Sequence, residues 1–81
     1  MKIYVVTNDH AVPSFRRACA TLIEAKAEAQ SHSGRTLQTA LKNGYRIEMV
    51  DYGKVTVDTL VRLHDGLPAR EVSRRQVLPR L

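Results

Sequence analysis

The stretch "SFRRACATLIEAKAEAQSHSG" (residues 14–34) decides the fold, because it supports two readings. In the first it is one long helix. Ser14 follows Pro13 as an N-cap, and Phe15, Ala18, Cys19, Leu22, Ala25 and Ala29 recur at three- and four-residue spacing along one stripe. In the second the helix begins only at Leu22. Thr21 and Glu24 then form the capping box "TLIE", and Phe15 to Ala20 is a strand. Ala18 and Ala20 are poor strand residues, so the long helix is the favoured expectation.

Working outward, "SHSG" interrupts the helical pattern and "RTLQTALKNG" (35–44) resumes it, with Leu37, Ala40 and Leu41 on one face. Asn43-Gly44 is an αL-type stop. Upstream, "KIYVVT" (2–7) is rich in β-branched and aromatic residues and has apolar side chains on both faces, as in a central or covered strand. "NDHAVP" (8–13) then breaks the pattern. Downstream, "YRIEMV" (45–50) is a strand, and "DYGK" (51–54) is a turn in which Gly53 supplies a positive φ. "VTVDTLVRL" (55–63) alternates like a strand, yet Thr56, Thr59, Leu60 and Leu63 equally cap and fill a short helix ending at Gly66. The expectation is a strand through Val57, paired with residues 45–50, with residues 58–65 left open.

These elements predict an α+β fold. A small, mainly antiparallel sheet of about three strands is backed by one long or two short helices, with a short basic C-terminal helix. Residues 1–66 form the core domain and residues 67–81 the basic helix or tail.

Composition narrows the function. Lys and Arg number 13 against 8 Asp and Glu, for a net charge of +5. A surface of this sign attracts phosphate backbones, anionic lipid or an acidic protein, and argues against an acidic imitation of DNA. The tail concentrates it, with Arg70, Arg74, Arg75 and Arg80 against Glu71. Tyr4, Phe15, Tyr45 and Tyr52 are the whole aromatic complement, fewer than a single-strand binder built on stacking platforms uses. Cys19 is the one cysteine, so no internal disulfide forms, and a lone thiol fits a reducing cytoplasm. "MKIYVVTNDH" (1–10) is too short and polar for a signal peptide, and no apolar run reaches a membrane span. The expected location is cytoplasmic, without membrane engagement.

"GLPAREVSRR" (66–75) resembles the second-helix opening of resolvase-type helix-turn-helix domains. The resemblance implies Val72 as a core contact and Ser73 as the small residue that lets helices approach. That family continues with a tight turn and a recognition helix for the major groove. Here Gln76, Val77, Leu78 and Pro79 follow, then Arg80 and Leu81, so no base-reading residue is carried over. Without the resemblance, the segment reads as a short terminal helix with Pro68 in its first turn.

The chemical motifs are sparse. His10, His32 and His64 show no metal-ligand spacing, and a single cysteine does not build a zinc centre. Asn8, Asp9 and His10 read as a polar turn at a strand end. Cys19 falls on the apolar stripe and reads as a core residue rather than a nucleophile. The four glycines are scattered, so no phosphate cradle forms and no cofactor is expected.

Non-enzymatic binding is therefore the expected function. The first form is engagement of nucleic acid, or of a nucleic-acid-handling complex. Arg16, Arg17, Arg70, Arg74, Arg75 and Arg80 would gather on one outer surface to contact phosphates. Arg16 and Arg17, at the start of a long helix, would oppose its dipole, which hints at retention for a partner. The second form is a stoichiometric protein-binding inhibitor or adaptor, of the kind common among phage and mobile-element accessories, including anti-CRISPR and other anti-defence proteins. There Tyr45, Tyr52 or the arginines would be anchors. A third, enzymatic alternative is a small toxin-like ribonuclease using His64 with Asp65 and nearby arginines. Exposed strand edges in so small a sheet also allow a homodimer.

Overall fold

Apolar residues on both faces of "KIYVVTN" suit β1 (Lys2–Asn8) to its place as one of the two inner strands of the sheet. The computed structural model describes residues 1–54, 56–67 and 71–80. After β1 come β2 (Phe15–Cys19), α1 (Leu22–Ser33), α2 (Leu37–Lys42), β3 (Arg46–Asp51), α3 (Val57–His64) and β4 (Ser73–Leu78). The four strands form one sheet in the order β2-β1-β3-β4, with antiparallel neighbours throughout. The chain is thus α+β with an antiparallel sheet, as expected; among the described residues the sheet has four strands, and there are three helices. No helix among the described residues is long and apolar enough to cross a membrane.

Register divides the sheet into two faces. Tyr4 and Val6 stand opposite Met49 and Ile47 on β3, and opposite Cys19 and Arg17 on β2. This first face is covered by α1 and α2. Val6 and Ile47 pack fully buried against Ala25, Ala29 and Ala40, with Cys19 and Tyr45 closing the cluster. Alanine on the helices lets their backbones come close to the sheet, so the β-branched strand residues fill the space between layers. The second face carries Ile3, Val5 and Thr7, flanked by Arg16 and Ala18 on β2 and by Arg46, Glu48 and Val50 on β3. A register shift between Ile47 and Glu48 leaves Val77 as an extra residue in β4. The shift turns Leu78 onto the first face beside Ile47, where it packs on the core.

Four sequence expectations are overturned. Residues 15–19 are a strand, not the first turns of a long helix: Phe15 and Cys19 point into the core while Ala18 pairs with Val5. The capping box at the rival position is formed instead. Thr21 Oγ1 accepts the Glu24 N–H at 3.2 Å, and the Glu24 carboxylate accepts the Ala20 N–H at 3.2 Å. Arg16 and Arg17 therefore face no helix dipole. The C-terminal helix is also a strand. Val72 N–H donates to the Asp51 carbonyl at 2.7 Å and opens the β3–β4 ladder. Residues 73–78 of the tail therefore join the same sheet as the core, so the part of the helix-turn-helix resemblance that falls on Ser73, Arg74 and Arg75 is strand, and residues 68–70 lie outside the described residues. Finally, Val57 does not pair with β3. Thr56 caps α3 by accepting the Thr59 N–H at 3.2 Å, and Gly66, at φ +70°, lies just beyond its end. Val55 lies outside the described residues.

Two substitutions test this assignment by urea denaturation. Ile47→Ala, which opens a cavity under α1 and α2, is expected to cost about 2–5 kcal/mol. Thr21→Ala is expected to cost about 1 kcal/mol, the loss of a helix cap. A Thr21→Ala variant as stable as the parent would put the helix start elsewhere.

Candidate functional site

The basic residues singled out from the sequence sit mainly on the two edge strands. Arg16 and Arg17 lie in β2, and Arg74 and Arg75 in β4. Strand alternation sends one arginine of each pair to each face: Arg16 and Arg74 to the second, Arg17 and Arg75 to the first. The two edges are separated by three interstrand spacings, about 14 Å. Arg80 is exposed beyond β4, and Arg70 lies outside the described residues. Among the described residues the arginines are therefore divided: Arg16 and Arg74 share the second face, where both act on Glu71, and Arg17 and Arg75 share the first.

Several are also committed internally. Arg17 pairs with Glu28 at 3.3 Å. Arg74 bridges Glu71 at 2.7 Å and Glu48 at 3.0 Å. These hydrogen bonds raise the Arg74 pKa, and the Arg74 bond in turn holds the Glu71 carboxyl below the ordinary carboxylate range. Arg46 is held by Asp9 at 2.7 Å and Arg62 by Asp58 at 2.9 Å. Glu24 accepts from Ala20, Asp51 from Gly53, and Asp65 lies 3.5 Å from His64. Seven of the eight acidic side chains thus have an arginine, amino-terminal or backbone N–H partner, and Asp65 lies beside the exposed His64. Arg16, Arg75 and Arg80 have no ion pair among the described residues.

Three of the seven exposed large apolar side chains among the described residues lie on α3, whose sequence fits both helix and strand; Val12 and Ile23 are more exposed, but each stands elsewhere in the chain. Val57, Leu60 and Val61 are 78%, 53% and 51% exposed, and α3 has no buried residue. Their i, i+3, i+4 spacing puts them on one stripe, with His64 one turn further on. Thr59 and Leu63, on the other side, are the half-buried residues of the helix. The signal was present in the sequence as a Thr56 cap followed by that spacing, but strand alternation in 55–63 competed with it.

Beneath α3 lies a cleft of about 510 Å³. Its floor is Ile3, Val5 and Ala18 of the second sheet face, and Leu63, Gly66 and Leu67 wall one side. Arg16, Tyr52 and Glu71 supply its polar groups. Tyr52, read as a partner anchor, is half-buried here. Tyr45, the other expected anchor, is 5% exposed and does not present a surface. Its hydroxyl meets His32 Nδ1 at 2.5 Å, and Phe15 stacks on the His32 ring at 3.8 Å. These three rings lock the C-terminal end of α1 to the sheet.

His64 is exposed at the end of α3, beside Asp65, and His32, in the last turn of α1, is also exposed but stacks on Phe15. His10 packs on Gly44, where a Cβ would come within 2.7 Å of its ring. Gly44 is at φ +99°, so only glycine fits both the turn and the imidazole. Cys19 is buried, and burial pushes its thiol pKa up, reinforced by Glu28 and Glu24 and opposed by Arg17. That is the environment of an inert thiol. Among the described residues no three His, Cys, Asp or Glu side chains gather as a metal-binding group. Comparison with protein-family models, with curated proteins and with solved structures finds no match for this chain.

The Glu71–Arg74 bond makes stability depend on pH with a definite sign. The Glu71 pKa is lowered in the folded state, so its contribution is complete above the ordinary carboxylate value of about 4.3 and is lost as pH falls through the folded value. Glu71→Gln should therefore flatten the acid limb of the stability profile below about pH 4.3. An unchanged acid limb would show that the pair is broken in solution.

Proposed function

We propose that this chain is a non-enzymatic binding protein that docks onto another protein through the outer face of α3, as an inhibitor or adaptor. The observation that carries this reading is the outward stripe of Val57, Leu60 and Val61 on a helix with no buried residue. Water-facing branched side chains on an ordered helix lose the stabilisation that burial provides, about 1.5–3 kcal/mol for each side chain fully covered. A partner that covers them recovers it, and contiguous apolar surface on so small a domain is a recurrent mark of an interface. The exposed rim of Asp58, Arg62 and Asp65 around the stripe gives the polar border such interfaces have.

The test is an affinity pull-down from native lysate, with and without nuclease, using the parent and a Leu60→Asp, Val61→Asp double variant. A stoichiometric protein captured after nuclease treatment and lost with the variant is expected. The variant should keep the parent's stability within about 0.5 kcal/mol per site, because neither residue is buried. Equal capture by both proteins would remove α3 from the interface.

A second reading, engagement of nucleic acid, is favoured by one observation. Seven of the eight acidic side chains are engaged internally, while Arg16, Arg75 and Arg80 remain without ion pairs among the described residues. These cations lie at opposite sheet edges, so the contact would be local and independent of sequence. A duplex lying along the β4 edge and touching Arg75 and Arg80 would displace about two counterions. Its affinity should fall about tenfold between 50 and 200 mM salt. Binding that is absent at low salt, or indifferent to salt, would exclude this reading.

A further inference from the structure

We infer that the cleft beneath α3 is a binding site for a small organic anion: a carboxylate on an apolar body. This goes beyond the docking role of α3, since it uses the side of the helix turned towards the sheet. Three features lead to it. The volume, about 510 Å³, suits a small molecule. Ile3, Val5 and Ala18 form an apolar floor, with Leu63 and Leu67 beside it, which a chain or ring can cover. Three groups on the lining can form polar contacts, and their commitments differ. Both Glu71 oxygens are taken by Arg74, at 2.7 and 3.1 Å. Tyr52 offers a neutral hydroxyl. Arg16, the arginine on the described lining, makes no ion pair within 4 Å; it stands near enough to Glu71 to help hold that carboxyl below its ordinary range, but its donor fork is unfilled.

A guanidinium at the rim of an apolar trough selects its ligand by geometry. Its two parallel N–H donors match the two oxygens of a carboxylate, while the trough takes the hydrocarbon. A neutral analogue keeps the apolar contact and loses the charge-assisted pair. An amine is repelled by Arg16 and finds Glu71 already engaged. The same chemistry is offered by a free organic acid and by the C-terminal carboxylate of a peptide ending in an apolar residue.

The experiment is titration of the ¹⁵N-labelled chain, followed by amide chemical shifts. The probes are sodium octanoate, N-acetyl-leucyl-leucine, its C-terminal amide, 1-octanol and octylamine. One or both acids should bind at least about tenfold more tightly than the neutral and cationic probes, shifting Ile3, Val5, Ala18 and Leu63. Which acid binds identifies the source. Arg16→Gln should remove that preference, Arg16→Lys should keep part of it, and Ala18→Phe should block both acids by filling the floor. Arg16 and Ala18 are exposed positions on an edge strand, so these variants retain the core. No binding by either acid at millimolar concentration, preference for octanol or octylamine, or an Arg16→Gln variant that binds as the parent does would overturn the inference. None of these outcomes bears on protein capture by the outer face of α3.

Discussion

The close contact of Ala25, Ala29 and Ala40 with Val6 and Ile47 is the constraint on which the rest of the structure depends. It joins the helix layer to one side of the sheet and leaves the other side with a different problem. Val5 and Val50 are also buried, on the second face, yet α3, whose Leu63 lines the same cleft as Val5, has no buried residue. A chain of 81 residues has too little apolar surface to complete two cores. The first face holds the buried cluster under α1 and α2, and among the described residues the second is covered by no helix with a buried side chain. Both the cleft and the exposed stripe follow from that asymmetry.

The charge distribution has a structural logic of its own. An antiparallel sheet of four strands has two open edges, each able to recruit a strand from another chain. Here each edge strand carries two consecutive arginines, Arg16-Arg17 and Arg74-Arg75, so each face of each edge bears a guanidinium. Placement at the edges discourages strand addition, and this disfavours a homodimer built by extending the sheet. It also explains why a basic tail that looks like a binding patch in one dimension is divided between two faces in three.

Much of the framework was legible in the sequence. β1 and β3, the α2 stop at Asn43-Gly44 and the positive φ of Gly53 follow from β-branched runs and turn chemistry that no tertiary contact contradicts. The failures have one cause: short segments whose helix and strand patterns overlap. In "FRRAC" a three-and-four-residue stripe and a period-two alternation both place Phe15 and Cys19 inward, and the capping box at Thr21 was the decisive local signal. In "SRRQVL" the strand forms because β3 needs an outer partner, a non-local demand that propensity does not register. The site was less legible than the fold. Whether an arginine meets a carboxylate, as Arg17 meets Glu28 and Arg74 meets Glu48, depends on pairings remote in sequence.

The central claim is that α3 rests shallowly on the sheet with its apolar stripe in water, while β1 and β3 hold the core. Native-state hydrogen exchange tests this most directly. Amides of Val5, Val6, Ile47 and Val50 should exchange only through global unfolding, whereas those of residues 60–64 should exchange through local openings of much lower free energy. Amides in α3 protected to the same level as those in β1 would contradict the account, because they would show a helix fully integrated into the core.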